Sequence, residues 1–328
     1  MMVYPWLHEQ WQALVDREQQ GRLAHGIILH GLDGLGKQQL AVQFAKFLLC
    51  ESPQQDQPCG ECKSCHQFEA RTHPDFILLE PEEAGKSIKV QQIRELVNRF
   101  ELASHYTRYR VAVINPADAM NMAASNSLLK TLEEPPEGTL IILVTSQLNA
   151  LLPTIRSRCQ HILIHKPEYR IAMDWLINNH TEKEENCHAA LALTSGAPVA
   201  ALGVLESEEM VLRDEAFAAF YAIGTGQQSA LPLAGAWLKA MLPQPIQWLY
   251  SWAGDLARLK TAADAEIANR DKRENLHKLA QQVELNRIFT FLDLLTSLLR
   301  VQRIPLNPQM TLEHILVQWQ TLTSDQRR

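Results

Sequence analysis

The fold of the amino-terminal half is decided by residues 26–49, which read GIILHGLDGLGKQQLAVQFAKFLL. The first five residues are an apolar run that predicts a buried strand, and the residues after Lys37 carry apolar side chains at helical spacing. Between them, Gly31, Gly34, Gly36 and Lys37 fit the pattern G-x-x-x-x-G-K. Such a loop surrounds phosphate oxygens with backbone N–H groups while its lysine reaches the terminal phosphate. The stretch therefore predicts a strand, a phosphate-binding loop and a helix, in the order of an α/β unit.

Four further apolar runs follow, at 76–79, 110–114, 140–145 and 161–164, and helix-like segments separate them. The run LIILV at 140–144 has no alternating polar residues, as expected of a strand that is buried on both faces. Short apolar runs that alternate with helices predict a parallel sheet covered by helices on both faces. After Pro167 the strand-like runs end and every remaining segment has helical spacing, so the chain is predicted to be α/β followed by all-α.

Composition limits the classes of protein to which the chain can belong. With 328 residues and 46% hydrophobic content, the chain is long and apolar enough for packed cores, which excludes a wholly disordered protein. The net charge of −6 does not indicate a nucleic-acid or membrane binder. The first twenty residues do not resemble a signal peptide, and no apolar run approaches the ~18–20 residues that span a bilayer, so we expect a cytoplasmic protein. The charge run at 264–274 is interpreted as a solvated helix or loop.

Four of the six cysteines lie within sixteen consecutive positions: Cys50, Cys59, Cys62 and Cys65. In a reducing compartment this spacing favours a metal site over disulfides, and four thiolates complete a closed tetrahedral shell for structural Zn²⁺. An iron–sulfur cluster is the alternative, which the absence of other redox motifs disfavours. His66 and His73 are interpreted as surface residues or residues outside the ligand set. The acidic residues of this insert argue against a nucleic-acid-binding finger.

Two changes in the ATPase motifs predict that this chain does not hydrolyse ATP. Gln38 stands where the loop needs a Ser or Thr hydroxyl for Mg²⁺, and Asn115-Pro116 stands where an acidic pair should follow the third strand. Asp118, two positions further on, is interpreted as a surface residue or a helix cap. Weak binding of ATP or ADP through Lys37 and the loop amides stays open.

Two later segments carry polar groups that face either a ligand or solvent. Thr145 and Ser146 end a predicted strand, where α/β sheets place residues that contact ligands, and a strand-end cap is the equal alternative. Further on, Arg156 and Arg158 flank a helix terminus. An arginine there could donate to a phosphate on a neighbouring subunit, or it could form a surface ion pair.

The order of these segments resembles the clamp-loader AAA+ proteins over essentially the whole chain. The resemblance is carried by the phosphate loop, the four-cysteine insert, the string LLKTLEEPP at 128–136, the Ser157-Arg158-Cys159 turn and the helical carboxyl-terminal half. It implies a RecA-like AAA+ domain at 1–166 with a zinc module at 50–65, a small helical lid at 167–207 and a helical collar at 208–328 that oligomerises.

The resemblance also implies a function. The family assembles a ring in which ATP at subunit interfaces drives opening of a sliding clamp and its loading on primed DNA during replication. The implied partners are the tau/gamma ATPase subunits, the delta subunit and, through the complex, the beta clamp and primer–template DNA, with no membrane. The setting would be the bacterial replisome, within the DNA-directed DNA polymerase holoenzyme, a nucleotidyltransferase assembly.

In this ring Arg158 would act as an arginine finger at a neighbour's ATP site. A lid arginine that the family pattern places after Gly196-Ala197-Pro198 is replaced by Val199. The chain would then be a non-hydrolysing stator with no intrinsic enzyme activity. The alternatives are an active clamp-loader ATPase and a zinc-dependent nucleic-acid-binding protein on an AAA+ scaffold.

Overall fold

The computed structural model describes residues 3–83, 85–101, 108–181, 183–239, 245–300 and 307–324. They fall into two units, Met1–Ile171 and Ala172–Arg328. The strands of the first unit are β1 Gly26–His30, β2 Phe76–Leu79, β3 Arg110–Ile114, β4 Thr139–Thr145 and β5 Gln160–Leu163. Its helices are α1 His8–Gln19, α2 Lys37–Leu49, α3 Lys63–Glu69, α4 Val90–Glu101, α5 Met122–Glu133 and the single turn α6 Pro153–Arg156.

The five strands form one parallel sheet in the order β2-β3-β4-β1-β5, as the sequence predicts. All of β4 is buried, which confirms the interpretation of its uninterrupted apolar run. Every strand ends at the same edge, so the loop after β1 lies beside the ends of β4 and β5. In such sheets ligands bind at this carboxyl edge.

Alternate side chains of the strands enter different cores because successive residues of a strand point to opposite faces. Ile28 and Ile141 pack with Leu96 of α4 and Leu128 of α5. Ile27, the neighbour of Ile28 in β1, points to the opposite face and is also buried. Helix α2 contacts β1, β3 and β4. The sheet is therefore covered by helices on both faces, as predicted.

The second unit contains helices and no strand within its described residues, 172–181, 183–239, 245–300 and 307–324. Its elements are α7 Tyr169–Asn179, which begins in the first unit, α8 Glu184–Leu193, α9 Pro198–Glu206, α10 Glu209–Gly224, α11 Ala230–Lys239, α12 Pro245–Thr261, α13 Arg273–Gln282, α14 Leu285–Arg300 and α15 Pro308–Ser324. Helices α7–α9 share one apolar cluster and α10–α15 share another. The predicted domain limits at 166/167 and 207/208 stay predictions.

No single described helix has the length and apolarity to cross a membrane, although the bent pair α8 and α9 together passes the same test of length and composition.

A buried polar network in the second unit contradicts part of the interpretation of residues 264–274. Arg213 of α10 is 0% exposed and donates from Nη2 to Asn269 Oδ1 at 2.7 Å and from Nη1 to Asp271 Oδ2 at 2.9 Å. Asn269, also fully buried, donates to Asp255 Oδ2 of α12 at 2.7 Å. The solvated interpretation is wrong for Asn269 and Asp271, because a buried cation draws them inward.

Candidate functional site

The phosphate loop lies at the carboxyl end of β1, and three of its glycines have positive φ angles that other residues rarely adopt. Gly36 has φ 84° immediately before α2 begins at Lys37. Gly31 has φ 143°, and a Cβ there would stand 2.3 Å from the carbonyl oxygen of Ile164. Gly34 also has a positive φ of 72°. The structure thus places Gly31, Gly34, Gly36 and Lys37 together as the sequence predicts, at the amino terminus of a helix.

Lys37 does not project from the loop. Its side chain is 5% exposed, and Nζ donates to the carbonyl oxygens of Gly31 at 2.9 Å and Leu32 at 2.5 Å. Burial lowers the pKa of Lys37, while the charges of Asp33 and Asp118 oppose this shift. The ammonium group that would bind a phosphate is therefore bonded to the carbonyls of its own loop.

An aromatic pair from the amino-terminal segment packs on the loop, a contact that the sequence did not indicate. Trp6 Nε1 donates to the carbonyl oxygen of Leu35 at 2.9 Å, and the rings of Tyr4 and Trp6 stack with centroids 5.0 Å apart. A Cβ at Gly36 would stand 2.5 Å from the Tyr4 ring. Gly36 thus permits both the left-handed backbone and the close approach of Tyr4.

Gln38 and Asp118, the two polar side chains near the degenerate ATPase motifs, each form a hydrogen bond with a side chain of another segment. Gln38 Nε2 donates to Glu80 Oε1 at 2.8 Å. Thr145, buried at the end of β4, donates its hydroxyl to Asp118 Oδ1 at 2.5 Å and accepts from the N–H of Gln147 at 2.9 Å. Asp118 is half-buried, and the cap of α5 is Asn121, so the interpretation of Asp118 as a helix cap was wrong.

The four cysteines of the insert converge, with all four sulfurs within 4.8 Å of one another. Cys50 Sγ lies 3.5 Å from Cys59 Sγ and 3.9 Å from Cys62 Sγ, and Cys59 Sγ lies 4.0 Å from Cys65 Sγ. A tetrahedral ion with metal–sulfur bonds of about 2.3 Å separates its ligands by roughly 3.8 Å. The four sulfurs could therefore hold one metal ion, whereas an iron–sulfur cluster would need room for its own sulfides between them.

Backbone N–H groups point at the sulfurs of this cluster. Those of Cys59, Cys62 and Cys65 donate to the sulfurs of Cys50, Cys59 and Cys62, at 3.3, 3.3 and 3.4 Å. The backbone N–H of Glu61 makes the largest contribution that lowers the pKa of Cys59, to about 6, whereas burial raises that of Cys65. Bound N–H groups stabilise thiolates, the form that ligates metals.

A chain of hydrogen bonds lies next to the cysteine cluster and involves residues adjacent to Cys50 and Cys65. Asp75 donates its N–H to His73 Nδ1 at 3.1 Å, which places the ring proton on Nε2, 2.9 Å from Ser64 Oγ. The Ser64 hydroxyl then donates to the carbonyl of Leu49. His66 is exposed, but His73 is buried, and burial lowers its pKa. His73 thus lies outside the ligand set as expected, yet it is not a surface residue.

The Ser157-Arg158-Cys159 turn joins α6 to β5, and the side chain of Arg158 contacts residues of its own chain. Its side chain is 34% exposed; Nη2 lies 2.5 Å from Glu133 Oε1, and Nη1 donates to the carbonyl of Thr154 at 2.9 Å. The surface ion pair that the sequence left open is thus formed. Arg156 instead donates to Asn149 Oδ1 at 3.1 Å.

Cys159 fixes the turn against the sheet. A Cβ at Gly26 would stand 3.0 Å from Cys159 Sγ and 3.1 Å from Leu132 Cδ2, so glycine allows Cys159 to pack closely on the start of β1. Burial raises the pKa of Cys159 to about 12, which keeps this thiol neutral. Arg158 is therefore attached to a rigid support.

Comparisons with known proteins agree over the whole chain. Family models match residues 6–168 (DNA polymerase III, delta subunit), 167–206 (DNA polymerase III subunit delta', AAA+ ATPase lid domain) and 207–321 (DNA polymerase III, delta subunit, C terminal). The DNA polymerase III subunit delta' of Pseudomonas aeruginosa is 34% identical over 98% of both chains. That of Escherichia coli K12 is 31% identical over 88% of this chain and 86% of its own.

Among solved structures, a DNA polymerase III gamma subunit-related protein from Thermotoga maritima matches with a TM-score of 0.50 at 17% identity, covering 96% of this chain and 99% of its own, which shows a shared fold. The parallel sheet with its phosphate loop, and the match of residues 167–206 to an AAA+ ATPase lid domain, identify the fold class as AAA+. By its full-length identity to these relatives, the chain belongs to the family of DNA polymerase III delta' subunits.

Proposed function

We propose that this chain is a clamp-loader subunit that completes the ATP site of a neighbouring ATPase subunit but does not hydrolyse ATP itself. The observation that carries the proposal is the contrast between two sites of one domain. Arg158 is held at the surface on a rigid turn, whereas Lys37 is buried against its own loop. An arginine fork can neutralise charge that develops on a transferring phosphoryl group.

The proposed assembly follows the family. The tau/gamma subunits would supply ATP sites, the delta subunit and beta clamp would complete the complex, and primer–template DNA would be reached through it. The three-domain division at 1–166, 167–207 and 208–328 and the role of the last part as an oligomerising collar belong to this proposal. We further propose structural Zn²⁺ at the four cysteines, because their spacing fits one tetrahedral ion.

The isolated chain is expected to release no phosphate from Mg²⁺-ATP above background. Gln38 cannot replace the hydroxyl that holds Mg²⁺, and Asn115 supplies no carboxylate after β3. Gln38→Thr alone is expected to stay inactive, because Asn115 still supplies no carboxylate after β3. Turnover that Lys37→Ala abolishes would instead favour the active-ATPase alternative.

Arg158→Ala is expected to silence one ATP site in the complex reconstituted with tau/gamma, delta, clamp and primed DNA. An arginine finger contributes about 10³–10⁵ to kcat at its own site. Total ATP turnover should therefore fall by the share of that site, and Arg158→Lys should not restore it, because an ammonium lacks the planar fork.

Arg156→Ala is the matched control, since it removes a neighbouring cation that bonds to Asn149. Gel filtration verifies that each variant enters the complex. Equal turnover for the wild type and Arg158→Ala, with complete assembly of both, would contradict the finger.

A further inference from the structure

Glu133 and Arg158 form an ion pair between two rigidly held elements. Glu133 is the last residue of α5, which Leu128 and Leu132 anchor in the core, and Arg158 follows from a turn packed on Gly26. The separation of Arg158 Nη2 and Glu133 Oε1 is 2.5 Å, and the two side chains are 34% and 48% exposed. The docked position of the guanidinium is therefore determined by the fold.

The site of the carboxylate makes this contact favourable for both partners. Glu133 lies at the carboxyl end of α5, where the helix dipole disfavours a negative charge and a nearby cation compensates for it. Arg158 Nη1 is fixed at the same time by the carbonyl of Thr154 at 2.9 Å. Both terminal nitrogens of Arg158 are thus bonded within this subunit.

A finger that binds phosphate through its Nη1/Nη2 fork must leave this arrangement to act. Nη1 and Nη2 both donate within this subunit, to Thr154 and Glu133, so the fork can turn to a phosphate of another subunit only when these contacts open. The affinity for a ligand is reduced by the fraction of the protein that is not in the competent state. The Glu133 carboxylate and the phosphate therefore compete for one guanidinium group.

We propose that Glu133 is a positioning residue that holds Arg158 docked in the free subunit and releases it to the phosphates of ATP bound by a neighbouring subunit. This inference rests on the proposed function, since it requires that Arg158 reach a phosphate. It adds a regulatory contact: the subunit engages its ATP-binding neighbour more weakly than it would with a free arginine. The contact should affect affinity only where the neighbour holds nucleotide, because without it there is no phosphate to replace the Glu133 carboxylate.

The test measures the affinity of the full-length chain for the reconstituted ATP-binding partner subunits, with a non-hydrolysable ATP analogue, with ADP or without nucleotide. Glu133→Gln is expected to tighten binding about two- to fivefold with the analogue, the size expected for losing a partly exposed ion pair. No change is expected without nucleotide. Glu134→Gln is the matched control, since it removes the same charge from the adjacent exposed position.

A double-mutant cycle separates this contact from general repulsion between Glu133 and ATP. In an Arg158→Ala background, Glu133→Gln is expected to have no effect, because no arginine remains to be released. Tightening that persists in that background, or no tightening by Glu133→Gln alone, would overturn the inference. If Arg158→Ala lowers partner turnover while Glu133→Gln changes no affinity, only the inference fails; if Arg158→Ala changes nothing, the proposed function fails with it.

Discussion

Cys62→Ser is expected to remove the bound zinc and to open the insert locally, leaving the five-stranded sheet folded. Binding of structural zinc contributes about 10–16 kcal/mol in isolated zinc-finger peptides, and that free energy stabilises the fold around the ion. Serine is informative at this position because Cys62 is also the N-cap of α3 and accepts the N–H of Cys65 at 3.4 Å. Serine is a preferred N-cap, so the substitution keeps the cap and removes only the thiolate.

The measurement combines zinc content by mass spectrometry with limited proteolysis. Wild type is expected to carry one zinc per chain and to resist cleavage at 51–62, and Cys62→Ser is expected to lose both properties. A chelator should give the wild type the phenotype of the variant and leave the variant unchanged. Cys159→Ser is the control, since this cysteine packs on β1 outside the cluster. A zinc-free wild type, or one that contains iron and absorbs visible light, would contradict the assignment.

The sequence predicts those parts of the site that depend on local spacing. The glycines and Lys37 lie within seven consecutive positions, and three of the cysteines lie within another seven, so the chain has little freedom to separate them. The parallel sheet was equally predictable, because uninterrupted apolar runs between helices form buried parallel strands.

Contacts between distant residues were not predictable. Trp6 bonds to the loop 29 positions away, and Asp118 bonds to Thr145 across 27 positions. The helix-ending string 128–136 and the Ser157-Arg158-Cys159 turn were both identified, yet nothing in either indicates that Glu133 meets Arg158. For His73 the sequence left a surface position and a position outside the ligand set open, and tertiary packing decides for the buried one.

The buried network around Arg213 is another contact between distant residues that the sequence did not predict. A run of charges usually lies in solvent, and Asp264, Glu266 and Glu274 are indeed exposed. Asn269 is fully buried because the Arg213 guanidinium and the Asp255 carboxylate both bond to it. No pattern within 264–274 reveals a cation 56 positions earlier.

Arg213→Ala is expected to destabilise the second unit by about 3–5 kcal/mol, because removing one member of a buried ion pair leaves the other without compensation. Asp271 would keep only Lys272, at 3.4 Å, and Asn269 Oδ1 would lose its donor. Lys278→Ala is the control: Lys278 pairs with Glu274 at 3.0 Å, both side chains are exposed at 54% and 85%, and such pairs contribute about 0–1 kcal/mol.

The expected loss can be measured by urea unfolding followed through the emission of the buried tryptophans of this unit, Trp237, Trp248, Trp252 and Trp319. Loss of 1 kcal/mol or less in Arg213→Ala, equal to that of Lys278→Ala, would contradict the prediction.

The pH dependence of the same variant identifies which charge is left unpaired. Burial raises the pKa of Asp271, but the hydrogen bonds and charge of Arg213 outweigh burial, so the net pKa lies below its ordinary value of 3.8. In the wild type this carboxylate therefore contributes stability above pH 3.8 that is lost as the pH falls through the lower folded value. Without Arg213, burial raises the pKa of Asp271, and the folded variant binds a proton more readily. The difference in stability between wild type and Arg213→Ala should consequently shrink from pH 7 toward pH 4, and a constant difference would assign the loss to packing instead.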